Sequence, residues 1–175
     1  MLVAATPLHA QFSAGVKAGG TFARLQPQEE SGNAYGWSNS YHAGLALNVY
    51  LASFSFGGFA VQPEALYNRK GRDGLYLSYG EASLGIIYLL NFGSVIPYIS
   101  FAPYYAFLLS ARSSRQGDSR NFAGSDYGLK LGGGVELQRV QVSASYAWGL
   151  YNIAGGGASS RNVSTEISLG YFFLQ

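Results

Sequence analysis

The sequence predicts an all-β fold, an eight-stranded antiparallel up-and-down transmembrane β-barrel. Three observations carry this. From Phe12 to the C-terminus, bulky apolar residues alternate with small or polar ones in runs of about ten, separated by breaks that are alternately long and short. Only 11% of the 175 residues are charged, whereas 15% are aromatic, with 24 Gly and 14 Tyr, a sparse polar covering for a soluble domain. No apolar stretch approaches the roughly 18 residues of a membrane helix, so a spanning chain has to cross with strands.

The elements follow in order. Residues 1–10 are small and apolar and end in Leu8-His9-Ala10, which resembles the tail of a secretory signal peptide cut after Ala10, or else a disordered leader; residues 11–175 form the barrel domain. The first strand sets Phe12, Val16 and Phe22 against Ser13, Lys17 and Thr21, and a polar loop from Gln26 to Gly36 follows. The second sets Tyr41, Leu45 and Val49 against His42, Asn48 and Tyr50, with a tight turn around Ala52 and Ser53. The third runs through Phe59, Val61 and Tyr67 on one face and Gln62, Glu64 and Asn68 on the other. Pro63 lacks the N–H that a ladder uses, so a bulge or a locally open pairing is expected there.

A short basic loop, Arg69 to Gly74, leads into the fourth strand, with Ala82, Leu84, Ile86 and Tyr88 opposed to Tyr79, Glu81, Ser83 and Gly85. A turn from Asn91 to Ser94 precedes the fifth strand, Val95 to Ser110. Beyond the polar loop Arg112 to Ser125, the sixth opposes Tyr127, Leu131 and Val135 to Asp126, Lys130 and Glu136. A turn at Gln138 and Arg139 opens the seventh, where Val140, Val142, Ala144, Tyr146, Trp148 and Leu150 interleave with Gln141, Ser143, Ser145, Ala147, Gly149 and Tyr151. The Gly-rich loop Ala154 to Arg161 leads to the last strand, with Ile167, Leu169 and Tyr171 outside and Ser164, Glu166 and Ser168 inside. An even strand count puts both termini and the tight turns on the periplasmic side and the longer loops outside.

Two arguments fix the faces. An eight-stranded barrel is just wide enough inside for side chains to fill it, which suits the small and polar set. Turning charged residues into lipid would cost roughly 2–4 kcal/mol for each Lys at the midplane and less for each Glu. Lys17, Glu64, Glu81, Lys130, Glu136 and Glu166 therefore belong inside, in a salt-bridge network that plugs the lumen. A narrow ion path biased toward cations by the excess of carboxylates is the alternative. A soluble carrier barrel would reverse the two faces.

Basic residues concentrate near the predicted outer loops. Arg69, Lys70, Arg72, Arg112, Arg115, Arg120 and Arg161 form a candidate rim for the phosphates of lipopolysaccharide, which guanidinium groups bind in a bidentate manner. Loop aromatics are few, which disfavours nucleic acid as a partner. His42 is the only His outside the leader, so a catalytic role would need it in a triad with Asp126 or Glu81 and a neighbouring Ser at the rim, acting on lipid A or a lipid acyl chain; the preferred reading is non-enzymatic. No His or Cys cluster suggests a metal, and Gly132-Gly133-Gly134 lies within a strand rather than before a helix, so no cofactor is expected.

Several stretches resemble one family. Val61-Gln62-Pro63-Glu64-Ala65-Leu66-Tyr67 with Lys70-Gly71, then Pro97-Tyr98 and Pro103-Tyr104, then Asp126-Tyr127-Gly128-Leu129 with Gly132-Gly133-Gly134-Val135-Glu136, and Ile167-Ser168-Leu169-Gly170-Tyr171 look like the outer-membrane barrel domain family named after PorT of the Bacteroidota. The resemblance spans nearly all of residues 11–175. It implies a barrel in a Gram-negative outer membrane and, through the PorT branch, a link to type IX secretion; the favoured reading is a structural or interaction module, an accessory to a secretion or uptake machine alongside other envelope proteins. It implies no catalytic set.

Overall fold

The computed structural model describes residues 12–27, 37–72, 75–91, 93–113, 124–152 and 160–174. The leader, Arg115, Arg120 and most of the Gly-rich loop lie outside the described residues. Eight strands, β1 (Phe12–Pro27), β2 (Ser38–Phe54), β3 (Gly57–Arg72), β4 (Leu75–Leu90), β5 (Ile96–Ser113), β6 (Ser125–Leu137), β7 (Val140–Gly149) and β8 (Ser160–Leu174), pair in chain order. Every pairing is antiparallel, and β1 against β8 closes the barrel over Ala14↔Leu174 to Pro27↔Ser160. Closure leaves no sheet edge unpaired.

The pleat distributes the side chains in an inverted sense relative to a water-soluble protein. Leu45, Ile86, Ile99, Leu131, Ile167 and Leu169 point outward and are each more than half exposed, whereas Asn48, Gln62, Gln141 and Ser168 point inward and are buried. Such a continuous apolar exterior has no stable place in water. The expected alternation therefore holds, with the greasy set outside.

Three local expectations change, and one at Pro63 resolves between its alternatives. The first hairpin turns at Ser55 and Phe56 rather than at Ala52 and Ser53, because β2 carries a register shift between Tyr50 and Ala52 that adds Leu51 and carries the strand on to Phe54. At Pro63 the locally open pairing is found rather than a bulge: the β2–β3 ladder lacks pairs between Ala46↔Glu64 and Val49↔Val61 and resumes in the same register, and Pro63 still pairs with Leu84 on its other side. Arg69 to Arg72 is strand rather than loop, paired with Ser78 back to Leu75. Tyr151 follows the end of β7 and meets Tyr127, with ring centroids 5.5 Å apart, instead of continuing the inner face.

Strand β6 explains its run of glycines. Tyr98 on β5 is paired with Gly134 and Tyr104 with Gly128, and each Tyr lies over the space a side chain there would occupy. A Cβ on Gly134 would run into the Val142 carbonyl oxygen of β7 and come 2.9 Å from the Tyr98 hydroxyl, and one on Gly128 would run into the Trp148 carbonyl oxygen and come 2.8 Å from the Tyr104 ring. These glycines let large inward side chains fold across the lumen.

Candidate functional site

The lumen holds two apolar clusters. At the end carrying the tight turns, Ala60, Ile87, Leu89 and Tyr98 form a buried apolar cluster, with Tyr50 and Ile96 packed against it. At the loop end, Leu77, Tyr79, Tyr104, Ala106 and Ala147 form a second. On β4, Glu81 lies between the two clusters, whereas Lys70 and Asp126 are level with the loop-end one, paired with Leu77 and Ala106, and Glu136 pairs with Ile96 at the turn end.

A chain of opposite charges crosses the lumen. Lys70 Nζ donates to Glu81 Oε2 at 2.6 Å, Lys130 bridges Glu81 Oε1 and Glu166, and its distance to Glu166 Oε2 is 2.8 Å. Asn68 Nδ2 donates to Glu166 at 2.7 Å and to Glu81 at 3.2 Å. A separate pair, Lys17 to Glu64 at 2.7 Å, lies nearer the turn end. Burying so many charges is tolerable only because each carboxylate meets a cation or a hydrogen-bond donor.

Neutral groups extend the network. Thr21 spends its hydroxyl hydrogen on Asn68 Oδ1, which leaves His42 Nδ1 as the donor to Thr21 Oγ1 at 2.9 Å. The other ring nitrogen faces the Ser168 hydroxyl at 2.8 Å, and His42 is only 1% exposed. Both of its nitrogens are occupied in mid-lumen, away from the rim position that a reaction on lipid would need.

The predicted network residues all lie in the lumen, but with a different set of partners. Glu136 meets no lysine; it accepts a 2.6 Å hydrogen bond from Tyr50. Lys70, expected on the rim, is instead fully buried in the lumen, because β3 continues as strand and its pleat puts Lys70 on the same face as Asn68. Asp126 joins the buried set, accepting from Asn162 at 2.9 Å and from Tyr104. Three lysines thus share the lumen with five carboxyl groups among the described residues. The space left by Lys17, Glu64, Lys130, Glu166 and their small neighbours is about 30 Å³, room for one or two waters.

Of the remaining rim residues, Arg69 and Arg112 line one recess beside Tyr76, while Arg161 stands apart on β8. Arg69 is half-buried on the outer face of β3, with its guanidinium 4.0 Å from the Tyr76 ring centre. Arg112 is exposed on β5, and Arg161 is exposed on β8 opposite Gln26 of β1. Arg72 closes β3 opposite Leu75. Among the described residues, no group of His, Cys, Asp or Glu has the arrangement of a metal site.

No protein-family model matches the chain, nor does any curated protein sequence. Similar solved structures include Ail, the attachment invasion locus protein of Yersinia pestis, in complex with the heparin analogue sucrose octasulfate, at 14% identity over 93% of this chain and 99% of that one with a TM-score of 0.48. Neisserial surface protein A is 16% identical over 93% and 99% of the two chains, with a TM-score of 0.46. The outer membrane protein OprG from Pseudomonas aeruginosa is 11% identical over 95% and 98%, with a TM-score of 0.40. At these identities the likeness is one of architecture, and function has to be argued from the chain's own side chains.

Proposed function

We propose that this chain is a small barrel of a Gram-negative outer membrane with a plugged lumen, serving as a non-enzymatic structural or interaction module. The observation that carries this is the alternating chain Lys70–Glu81–Lys130–Glu166 across the lumen, with about 30 Å³ of free space beside it. An ion crossing the barrel would have to break that chain, so work at the loops and the outer wall is favoured over transport through the lumen. The apolar exterior supports residence in lipid, and closed barrels are one of the two structures that satisfy every backbone group there.

His42 supports the non-enzymatic reading, since it is held between Thr21 and Ser168 and has no free face. The finer role follows the resemblance to the PorT-named family: an accessory to a secretion machine of the type IX kind or to an uptake machine, in contact with outer-leaflet lipids, lipopolysaccharide and other envelope proteins. Planar-bilayer recording tests the plug. Purified barrel that gives a heat-modifiable band in detergent yet no steady conductance supports the reading, and a large steady conductance overturns it. Co-purification from native envelopes in mild detergent identifies the partner.

A further inference from the structure

From the outer wall near the loop end we infer a discrete binding site for the phosphate headgroup of a membrane lipid, built by Arg69 and Arg112 around Tyr76. The inference rests on the membrane reading above. Tyr76 on β4 pairs with Gly71 on β3 and with Arg112 on β5, and Arg69 on β3 pairs with Ser78 two residues further along β4. The two arginines therefore flank one aromatic ring from opposite sides. They share a recess of about 170 Å³ that Tyr41 and Tyr67 complete.

Several features make this recess more than a stretch of charged rim. The Arg69 guanidinium lies over the Tyr76 ring, 4.0 Å from its centroid, a cation–π contact that restricts its position. Tyr67 is fixed in turn by donating its hydroxyl to Ser78 at 2.8 Å, and the Tyr41 ring lies 6.0 Å from it. Neither arginine has an ion-pair partner among the described residues. All five described carboxylates, Glu64, Glu81, Asp126, Glu136 and Glu166, face the lumen. The wall thus offers two guanidinium groups to an anion with no competing carboxylate among the described residues, and a tetrahedral phosphate accepts hydrogen bonds from both.

The ground below the recess selects the kind of anion. From Arg69 and Arg112 toward the turn end, the same wall continues as Leu45, Leu84, Tyr105 and Phe107, each more than a third exposed. A phosphate seated between the arginines would have its hydrocarbon chains lying along these side chains. A free anion gains nothing from that surface. Aromatic rings at this level are also where a barrel meets the headgroup region.

The test uses the whole chain refolded in detergent, native mass spectrometry and two lipids with the same acyl chains, phosphatidic acid and the diacylglycerol that lacks its phosphate. The wild-type barrel is expected to keep bound phosphatidic acid in preference to diacylglycerol. Arg69→Gln with Arg112→Gln should weaken that retention about tenfold or more while the heat-modifiable band persists. Arg161→Gln, a rim arginine on β8, should leave it unchanged. Equal retention by the double variant, an equal loss in Arg161→Gln, or displacement of the lipid by millimolar inorganic phosphate would each overturn the site. A wild-type chain that never gives the heat-modifiable band in detergent would bring down the membrane reading itself, whereas a chain that folds but does not discriminate between the lipids brings down only this inference.

Discussion

Arg69 and Lys70 are joined by one peptide bond and end in opposite surroundings. Lys70 is fully buried in the lumen, where Glu81 accepts its hydrogen bond. Arg69 lies outside over Tyr76, with no carboxylate among the described residues to neutralise it. The strand pleat alone separates them, since side chains of adjacent strand residues leave on opposite faces. Inside, a cation is part of the structure; outside, it is available to something else. Lys130 and Leu131 repeat the lesson on β6, one bridging Glu81 and Glu166 and the other more than half exposed.

The contrast can be broken most severely from within. Lys130→Met removes the cation shared by two carboxylates, leaving Glu166 with Asn68 as its nearest donor, and should cost about 3–5 kcal/mol in urea unfolding followed by tryptophan fluorescence. Placing a charge one position along, on the outer face, tests the other side of the wall. Leu131→Arg is expected to cost about 2–4 kcal/mol in lipid vesicles and much less in a detergent with charged headgroups. If Leu131→Arg proved neutral in vesicles, the apolar wall would not be facing hydrocarbon.

Smaller effects sharpen the comparison. Tyr50→Phe deprives Glu136 of its 2.6 Å donor and should destabilise the turn end by about 1–3 kcal/mol in the same unfolding measurement. Arg69→Gln should remove only its stacking on Tyr76, about 0.5–1 kcal/mol, so its main consequence belongs in lipid retention rather than in unfolding. A large stability loss at Arg69 would mean that it, too, serves the fold.

The alternation made the faces of Glu64, Glu81, Lys130, Glu136 and Glu166 readable, because a one-residue error would put every charge of a strand into hydrocarbon. Lys70 escaped because a cluster of basic residues and glycine looks like a loop. Counting by twos from Gln62 through Glu64, Leu66 and Asn68 would have reached it. The extra residue at Leu51 could not be seen, since a bulge leaves no compositional mark within an apolar run. The two apolar clusters were hidden for a related reason. Leu77, Ile87 and Leu89 are apolar residues on the inner face of a strand whose outer face is also apolar, and periodicity is silent where both faces match. The recess around Tyr76 needs three strands in register, which pattern along one chain does not supply.

Tyr98 over Gly134 and Tyr104 over Gly128 act as a key cut for a single lock. Sliding β5 along β6 by two residues, the smallest slip that keeps each face, would set Tyr104 against Lys130 or Asp126 instead of Gly128. A misaligned β5–β6 pair is thereby penalised by packing within the wall itself, independently of the β1–β8 seam.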